Sequence, residues 1–300
     1  MRPDLEKFIH ISKLDSREVA ALKSILQNPS IMAMAENIAR LKYQSIPQQE
    51  LPDYEESPEL CQAWFAAAYL SFDFSRQRFQ QLNIPENLWL DTMNDLRVWL
   101  RNEERNSGII GIGPAPRTWL AGVYQGRIIQ HGRLQCSREF YYQFEPLKDQ
   151  TGKTVLFTGD PVINLHIPEE GPMDLAACCQ SLKSMAEFYA AYKPEYQWKG
   201  FLCESWLLDR QLRNMLPPTS NILKFQNLGQ HFMMHVPSDT VFRLFGYADP
   251  AATQNPTTLQ KNVIKFLQDG GQFMMEGMFI PRDVIEAAEY DFARLPPPEL

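Results

Sequence analysis

The chain has 300 residues, of which 44% are hydrophobic and 22% charged, and its formal net charge is -7 at neutral pH. A chain of this length can bury a substantial core in one large or two ordinary domains. The acidic balance argues against nucleic acid as a partner, because binding a phosphate backbone favours a basic face. No apolar run is long enough to span a membrane, and the N-terminus lacks the apolar core of a signal peptide. We therefore expect a cytoplasmic protein without a membrane partner.

The five cysteines lie among apolar residues without paired spacing, which indicates reduced thiols rather than a disulfide framework. No CxxC motif is present, so a thiolate zinc site is not expected. His231 and His235 are four residues apart and have no accompanying carboxylate, which makes a poor metal site. The sequence predicts no metal.

The first hundred residues predict helices, because apolar residues recur there at three- and four-residue intervals between proline breaks. The segment from Glu59 to about Leu82 carries an aromatic stripe, which is more typical of a core face than of a cofactor site. Its members are Trp64, Phe65, Tyr69, Phe72 and Phe79.

Strand and helix patterns alternate in the second part of the chain. Arg133 to Phe144 alternates apolar and polar residues and predicts a strand. Residues Gln150 to Lys153 predict a turn, so we expect this strand and the next to form an antiparallel hairpin. Val162 to Ile167 and Trp198 to Leu208 predict strands on either side of a helix that includes Leu175 to Tyr189. A strand–helix–strand crossover places its two strands parallel. The predicted fold class is α/β (α+β), with a helical N-terminal domain followed by a mixed sheet flanked by helices.

Polar residues follow both strands of this crossover, where α/β proteins commonly bind their ligands. On one side are His166, Glu169 and Gly171; on the other are Cys203, Glu204, Ser205 and Trp206. The sequence therefore predicts a site at these strand ends.

Glu204 is the sharpest candidate, because a carboxylate in an apolar strand either faces solvent or lines a cleft with a raised pKa. His166 is either a general base or a structural histidine with satisfied hydrogen bonds. Cys203 facing His166 would make a nucleophile pair, whereas a buried cysteine is the more common case. Ser205 is a polar neighbour, and Trp206 is a candidate wall of the substrate cleft.

The loop from Pro168 to Asp174 leads into the predicted helix. Unpaired N–H groups in the first turn of a helix can hold a pyrophosphate or a carboxylate. The alternative is that Asp174 caps the helix, and the acidic side chains of Glu169, Glu170 and Asp174 would repel an anion.

Four segments, HIPEEGPMD (166–174), LCESWLLD (202–209), SNILKFQ (220–226) and TTLQKNVIKFLQDGG (257–271), resemble a bacterial family of acyltransferase-like proteins. Its members have an N-acyltransferase N-terminal domain and a GNAT-like C-terminal domain. The resemblance covers most of the chain and implies domains over residues 1–131 and 132–300.

The resemblance implies a GNAT core that binds an acyl-CoA, acetyl-CoA in particular, as co-substrate. This core has a first strand, a pyrophosphate-binding arm and a second strand that splays away. The implied cofactor-binding residues are Leu165, Ile167, Glu169, Gly171 and Pro172. The family's arm has the pattern Gln/Arg-x-x-Gly-x-Gly/Ala, whereas this chain has one glycine and additional acids between Glu169 and Asp174.

Three hypotheses follow. The first is an acyl-CoA-dependent N-acyltransferase that acts on a small amine, deprotonated by Glu204 or His166. The second is a catalytically degenerate GNAT-like protein that binds a small ligand or regulates. The third is a transferase or hydrolase that depends on the Cys203 thiol.

Overall fold

A computed structural model describes residues 2–149, 151–246 and 248–286, and it divides the chain into two compact units. The first unit contains Met1–His131 together with Pro168–Glu170. The second contains Gly132–Ile167 and Gly171–Leu300. Residues 287–300, which the sequence assigns to the second domain, lie outside the described residues.

The first unit is helical, as its periodicity predicts. Its α-helices are α1 (Leu5–Ile11), α2 (Ser16–Ile25), α3 (Pro29–Ile38), α4 (Pro58–Leu70), α5 (Phe72–Gln81), α6 (Glu86–Thr92), α7 (Asp95–Ser107) and α8 (Arg117–Tyr124). A π-helix (Ala39–Tyr43) extends α3, and the short strand β1 (Ile128–His131) follows α8.

The predicted aromatic stripe on α4 and α5 is a core face. All five of its rings are at most 3% exposed, and burying a ring of this size contributes about 1.5–3 kcal/mol. Phe72 packs at 5.4 Å from Phe8 and at 5.3 Å from Trp89, measured between ring centroids. These rings hold the helices of the first unit together.

The second unit contains seven strands and five α-helices among its described residues. Its strands are β2 (Leu134–Phe140), β3 (Leu147–Lys148), β4 (Thr154–Leu156), β5 (Pro161–His166), β6 (Gly200–Ser205), β7 (Gln230–Pro237) and β8 (Met274–Pro281). Its α-helices are α9 (Leu175–Tyr192), α10 (Asn221–Gln226), α11 (Thr240–Phe245), α12 (Thr258–Gln268) and α13 (Arg282–Glu286). Three 3₁₀ segments span Trp206–Leu208, Arg210–Asn214 and Pro250–Ala252.

The main sheet of the second unit is mixed, and five of its strands follow the order β2-β5-β6-β8-β7. Strand β5 is antiparallel to β2 and parallel to β6. The other pairs, β6 with β8 and β7 with β8, are antiparallel. Helix α9 connects β5 to β6, so the predicted crossover and the predicted fold class are confirmed.

The strand pairing before β5 differs from the prediction. Strand β2 pairs with β5, whereas β3 and β4 form a separate two-stranded hairpin. The Asp149 carboxylate ties the β3–β4 turn by accepting the N–H groups of Thr151 and Lys153 at 2.9 and 3.0 Å. The predicted turn is therefore correct, but it closes a local hairpin inside the β2–β5 connection.

Among the described residues of the second unit, two apolar clusters pack its elements together. One joins the β3–β4 hairpin to the sheet and contains Tyr141, Leu147, Leu156, Val162, Leu202 and Phe279. The other lies under the helices that follow β6 and is built around Leu212, Met215, Val263 and Phe273. Within the described part of the chain, no helix is both long and apolar enough to cross a bilayer.

Candidate functional site

The parallel strands β5 and β6 separate at their carboxyl ends. Their ladder pairs Ile163 with Phe201 and ends where Leu165 pairs with Cys203. Strand β6 then continues beside β8, where Glu204 pairs with Gly277. The sheet therefore opens between β5 and β6 immediately after Leu165 and Cys203.

His166 and Glu204 are the next residues on the two strands, and both face the same side of the sheet. Paired neighbours in a sheet share a face, and successive residues alternate between faces. Leu165 and Cys203 therefore point to one face, and His166 and Glu204 point to the other. The structure brings these two predicted site residues to the opening together.

Two other polar side chains, those of Ser137 and Asn164, lie on the same face as His166. The Ser137 hydroxyl of β2 lies 3.0 Å from His166 Nε2. Asn164, two residues earlier on β5, has a buried side-chain oxygen with no hydrogen-bond partner. Burial lowers the pKa of His166 to about 4, so its imidazole is neutral near pH 7.

Glu204 is an exposed residue, and Gln143 donates a 3.3 Å hydrogen bond to its Oε1. Desolvation by the surrounding atoms raises the pKa of Glu204, and the charge of Glu139 raises it further, against the hydrogen bond from Gln143. The shift moves the pKa of Glu204 toward neutral pH, and a general base works best when its pKa lies near the pH of the reaction.

An aromatic ring from β7 lies over β8 next to Glu204. Gly277 of β8 pairs with Glu204 on one side and with Phe232 of β7 on the other. A Cβ atom at Gly277 would lie 2.1 Å from the Phe232 ring, so only glycine lets the ring cross β8 there. The sequence alone shows that Gly277 lies inside a strand. That Phe232 is its partner depends on the register of β7 against β8.

Cys203, Leu165 and Ser205 lie on the opposite face from Glu204. Cys203 is fully buried, and burial raises the pKa of its thiol. The Ser205 hydroxyl accepts the N–H of Leu207 at 3.2 Å and caps the following turn. Of the two alternatives for Cys203, the structure therefore favours the buried cysteine, because its side chain and that of His166 leave the sheet in opposite directions.

Trp206 follows Ser205 in a 3₁₀ turn. Its side chain is partly buried and packs against the cluster built around Leu212, Met215, Val263 and Phe273. It contributes an apolar surface next to the end of β6.

The loop after β5 is held by Arg133. Its Nε and Nη2 atoms donate to the carbonyl oxygens of Pro172 and Gly171 at 2.8 and 3.1 Å. Asp174 caps α9 by accepting the N–H of Ala177 at 2.9 Å. The capping alternative is therefore correct for Asp174, and one donor of the first helical turn is already used.

The other predicted cofactor-binding residues have separate surroundings. Ile167, the residue after β5, is partly exposed. Gly171 is exposed and has a positive φ of 85°. Glu169 is exposed and belongs with Pro168 and Glu170 to the first unit, where Arg105 lies 2.6 Å from its Oε1.

A buried charge network near Ser205 is absent from the sequence-based site. Glu276 of β8 is 2% exposed and lies opposite Ser205. Its carboxylate is 2.7 Å from Arg210 Nε and 3.3 Å from His231 Nδ1. Burial raises the pKa of Glu276, but the hydrogen bonds from His231 and Arg210 outweigh it, and the net pKa is lowered.

His231 is a structural residue in this network. Its Nε2 lies 2.6 Å from the Gln226 carbonyl oxygen, and a carbonyl only accepts, so this nitrogen carries a proton. Among the described residues, no group of three or more His, Cys, Asp and Glu side chains is placed to hold a metal ion.

Two family models match successive parts of the chain. The one described as an N-acyltransferase N-terminal domain matches residues 2–126, and the one described as a GNAT-like C-terminal domain matches residues 128–279. Together they span nearly all of the described residues. No curated protein matches the chain.

Solved structures with a similar fold include an acyltransferase mutant in complex with octanoyl-CoA. The TM-score is 0.74 at 19% identity, over 94% of this chain and 89% of that chain. An acyltransferase in complex with decanoyl-CoA and teicoplanin gives 0.74 at 19% identity, over 94% and 88% of the two chains. An acyltransferase in complex with decanoyl-CoA gives 0.70 at 20% identity, over 94% and 89%. At such identities the likeness shows the fold.

Proposed function

The chain belongs to the family that joins an N-acyltransferase N-terminal domain to a GNAT-like C-terminal domain, and we propose that it transfers an acyl group from an acyl-CoA to a small amine. The observation that carries the proposal is the opening between β5 and β6, with His166 and Glu204 on one face at its edge. Such an opening gives a thioester and an amine a place to meet beside a proton acceptor.

Glu204 is the proposed general base. Its raised pKa strengthens it as a proton acceptor, whereas the lowered pKa of His166 weakens that residue for the same task. The exposed carboxylate is also reachable by an acceptor from solvent. His166, neutral and held by Ser137, is the proposed polar contact for substrate.

The proposed reaction proceeds through a tetrahedral intermediate. Glu204 takes the proton from the ammonium form of the acceptor, directly or through a water, and the amine nitrogen attacks the thioester carbonyl carbon. The C–S bond then breaks, and the CoA sulfur leaves as a thiol with the second proton that the attacking nitrogen loses as the amide forms. Backbone N–H groups near the end of β5 are the proposed donors to the oxyanion.

The solved structures with this fold suggest donors longer than acetyl. They contain octanoyl-CoA and decanoyl-CoA, and one contains teicoplanin as well. The partly buried Trp206, beside the end of β6, is the proposed apolar contact for the acyl chain. We propose a medium-length acyl-CoA as donor.

A panel of acyl-CoAs from acetyl to decanoyl, each with a mixture of primary amines, tests the proposal. Release of free CoA thiol measures turnover, and mass spectrometry of the products distinguishes acyl transfer from thioester hydrolysis. We expect amine-dependent thiol release and an N-acyl product. CoA binding without turnover under all conditions would instead indicate the regulatory or binding role.

A further inference from the structure

A row of arginines on α7 contacts the acidic loop that follows β5. Arg97, Arg101 and Arg105 are spaced four residues apart, so they lie along one side of the helix. We call these three residues the arginine stripe. The loop segment Pro168–Glu170 belongs to the same compact unit as α7.

Each carboxylate oxygen of the two loop glutamates has a donor from α7. Glu170 Oε2 lies 3.1 Å from Arg97 Nη2, and its Oε1 lies 3.2 Å from Arg101 Nη1. Glu169 Oε1 lies 2.6 Å from Arg105 Nη2, and its Oε2 accepts from Asn102 Nδ2 at 2.8 Å. Two carboxylates thus occupy four donors along two helical turns.

Most of these contacts lie at the surface, and the Arg97 side chain, at 23% exposed, is the most buried of the three arginines. The side chains of Glu169 and Glu170 are 45% and 40% exposed, and those of Arg101 and Arg105 are 43% and 62% exposed. Exposed ion pairs contribute little to stability, so another anion can replace a glutamate at small cost.

The arginine stripe has more N–H donors than the two carboxylates use. A guanidinium has five N–H donors in a planar fork that fits a phosphate as well as a carboxylate. Arg97 Nε is buried and has no hydrogen-bond partner. The only other carboxylate paired with the stripe among the described residues is Glu18, whose Oε1 is 3.7 Å from Arg101 Nε.

We propose that the arginine stripe is a binding site for phosphate groups, and that Glu169 and Glu170 occupy it as carboxylate stand-ins until a phosphate-bearing ligand displaces them. The choice of ligand rests on the proposed function, since CoA carries a pyrophosphate and a 3′-phosphate.

Isothermal titration of the full chain with CoA, inorganic pyrophosphate and pantetheine tests the proposal. Arg101→Gln is expected to raise the Kd for CoA and for pyrophosphate by about tenfold, because one charged fork is lost. The double variant Glu169→Gln with Glu170→Gln is expected to lower both values about fivefold, because neutral amides compete less for the arginines. Pantetheine, which has no phosphate, should bind all variants equally.

Arg76→Gln is the matched control. It removes an exposed arginine of the same unit from its 2.6 Å pair with Glu86 and does not touch the stripe. Its CoA and pyrophosphate affinities should equal those of the wild type. Unfolding of Arg101→Gln could also weaken binding. It could not explain the tighter binding that is expected of the Glu169→Gln, Glu170→Gln double variant.

The outcomes separate the ligand sources and the two proposals. CoA binding much tighter than pyrophosphate binding identifies CoA as the source of the phosphates, and equal binding identifies a free phosphate compound. Affinities that are the same in the wild type, Arg101→Gln and the double variant overturn the site, even if acyl transfer is observed. Affinities that follow the stripe while no acyl transfer occurs uphold the site and overturn the proposed function alone.

Discussion

Leu165 and Cys203 are the last pair in the parallel ladder between β5 and β6. Their side chains point to the face of the sheet that does not carry Glu204, and the next residue on each strand points to the other face. This single step of alternation separates a buried thiol from an exposed carboxylate one residue away.

Glu204→Gln is expected to lower kcat by about 10²-fold or more, because a positioned general base contributes about 10²–10⁴-fold. The amide keeps the size of the side chain but cannot take a proton. Donor binding, measured by titration with CoA, should not change. Glu187→Gln, which neutralises an exposed carboxylate on α9, is the control and should keep wild-type turnover. A Glu204→Gln enzyme with wild-type kcat would remove Glu204 from this role.

The pH profile should show the environment of Glu204. Its raised pKa places the acid limb of kcat/KM above the usual glutamate value of about 4.3, and activity is lost as the pH falls through the raised value. Glu139→Gln removes a nearby negative charge, so the limb should move to lower pH. Glu187→Gln should leave the limb in place. An unmoved limb in Glu139→Gln would show that another group controls it.

Cys203→Ala is expected to leave kcat unchanged within about twofold and to lower stability by about 1 kcal/mol, because a buried thiol is replaced by a smaller group. Burial raises the pKa of the thiol, so iodoacetamide at neutral pH should not modify it. Peptide mapping after alkylation measures this directly. Loss of activity in a folded Cys203→Ala protein would support the thiol-dependent hypothesis instead.

Glu276→Gln is expected to destabilise the protein by roughly 2 kcal/mol at pH 7. Breaking a fully buried pair costs about 3–5 kcal/mol, but Arg210 is 45% exposed and can be solvated. Urea denaturation measures the free energy of unfolding. Glu86→Gln, which loses only an exposed ion pair with Arg76, should cost less than about 1 kcal/mol.

The Glu276→Gln variant also gives a pH test with a definite sign. The folded pKa of Glu276 is lowered, so the native protein holds this group ionised when the unfolded chain has begun to protonate it. Its contribution is fully present above the unfolded value of about 4.3 and is lost as the pH falls through the folded value. The difference between wild type and Glu276→Gln should therefore shrink in acid. A constant difference would mean that charge is not what Glu276 contributes.

The sequence by itself determined the helical first part, the strand–helix–strand crossover and the fold class. These depend on local periodicity, capping residues and proline breaks, which act within a few residues of chain. Asp174 illustrates this, since the cap that it forms with Ala177 is a contact between residues three apart. The strand ends around His166 and Glu204 were found for the same reason.

Only the tertiary structure decided which of those candidates share a face and what surrounds them. The register of β5 against β6 separates Cys203 from His166, and the pairing of β2 with β5 brings Ser137 to His166. Glu276 could have been noticed as a lone carboxylate in an apolar strand, as Glu204 was, but its partners Arg210 and His231 are distant in sequence. Register and long-range ion pairs depend on residues far apart along the chain, so no local pattern specifies them.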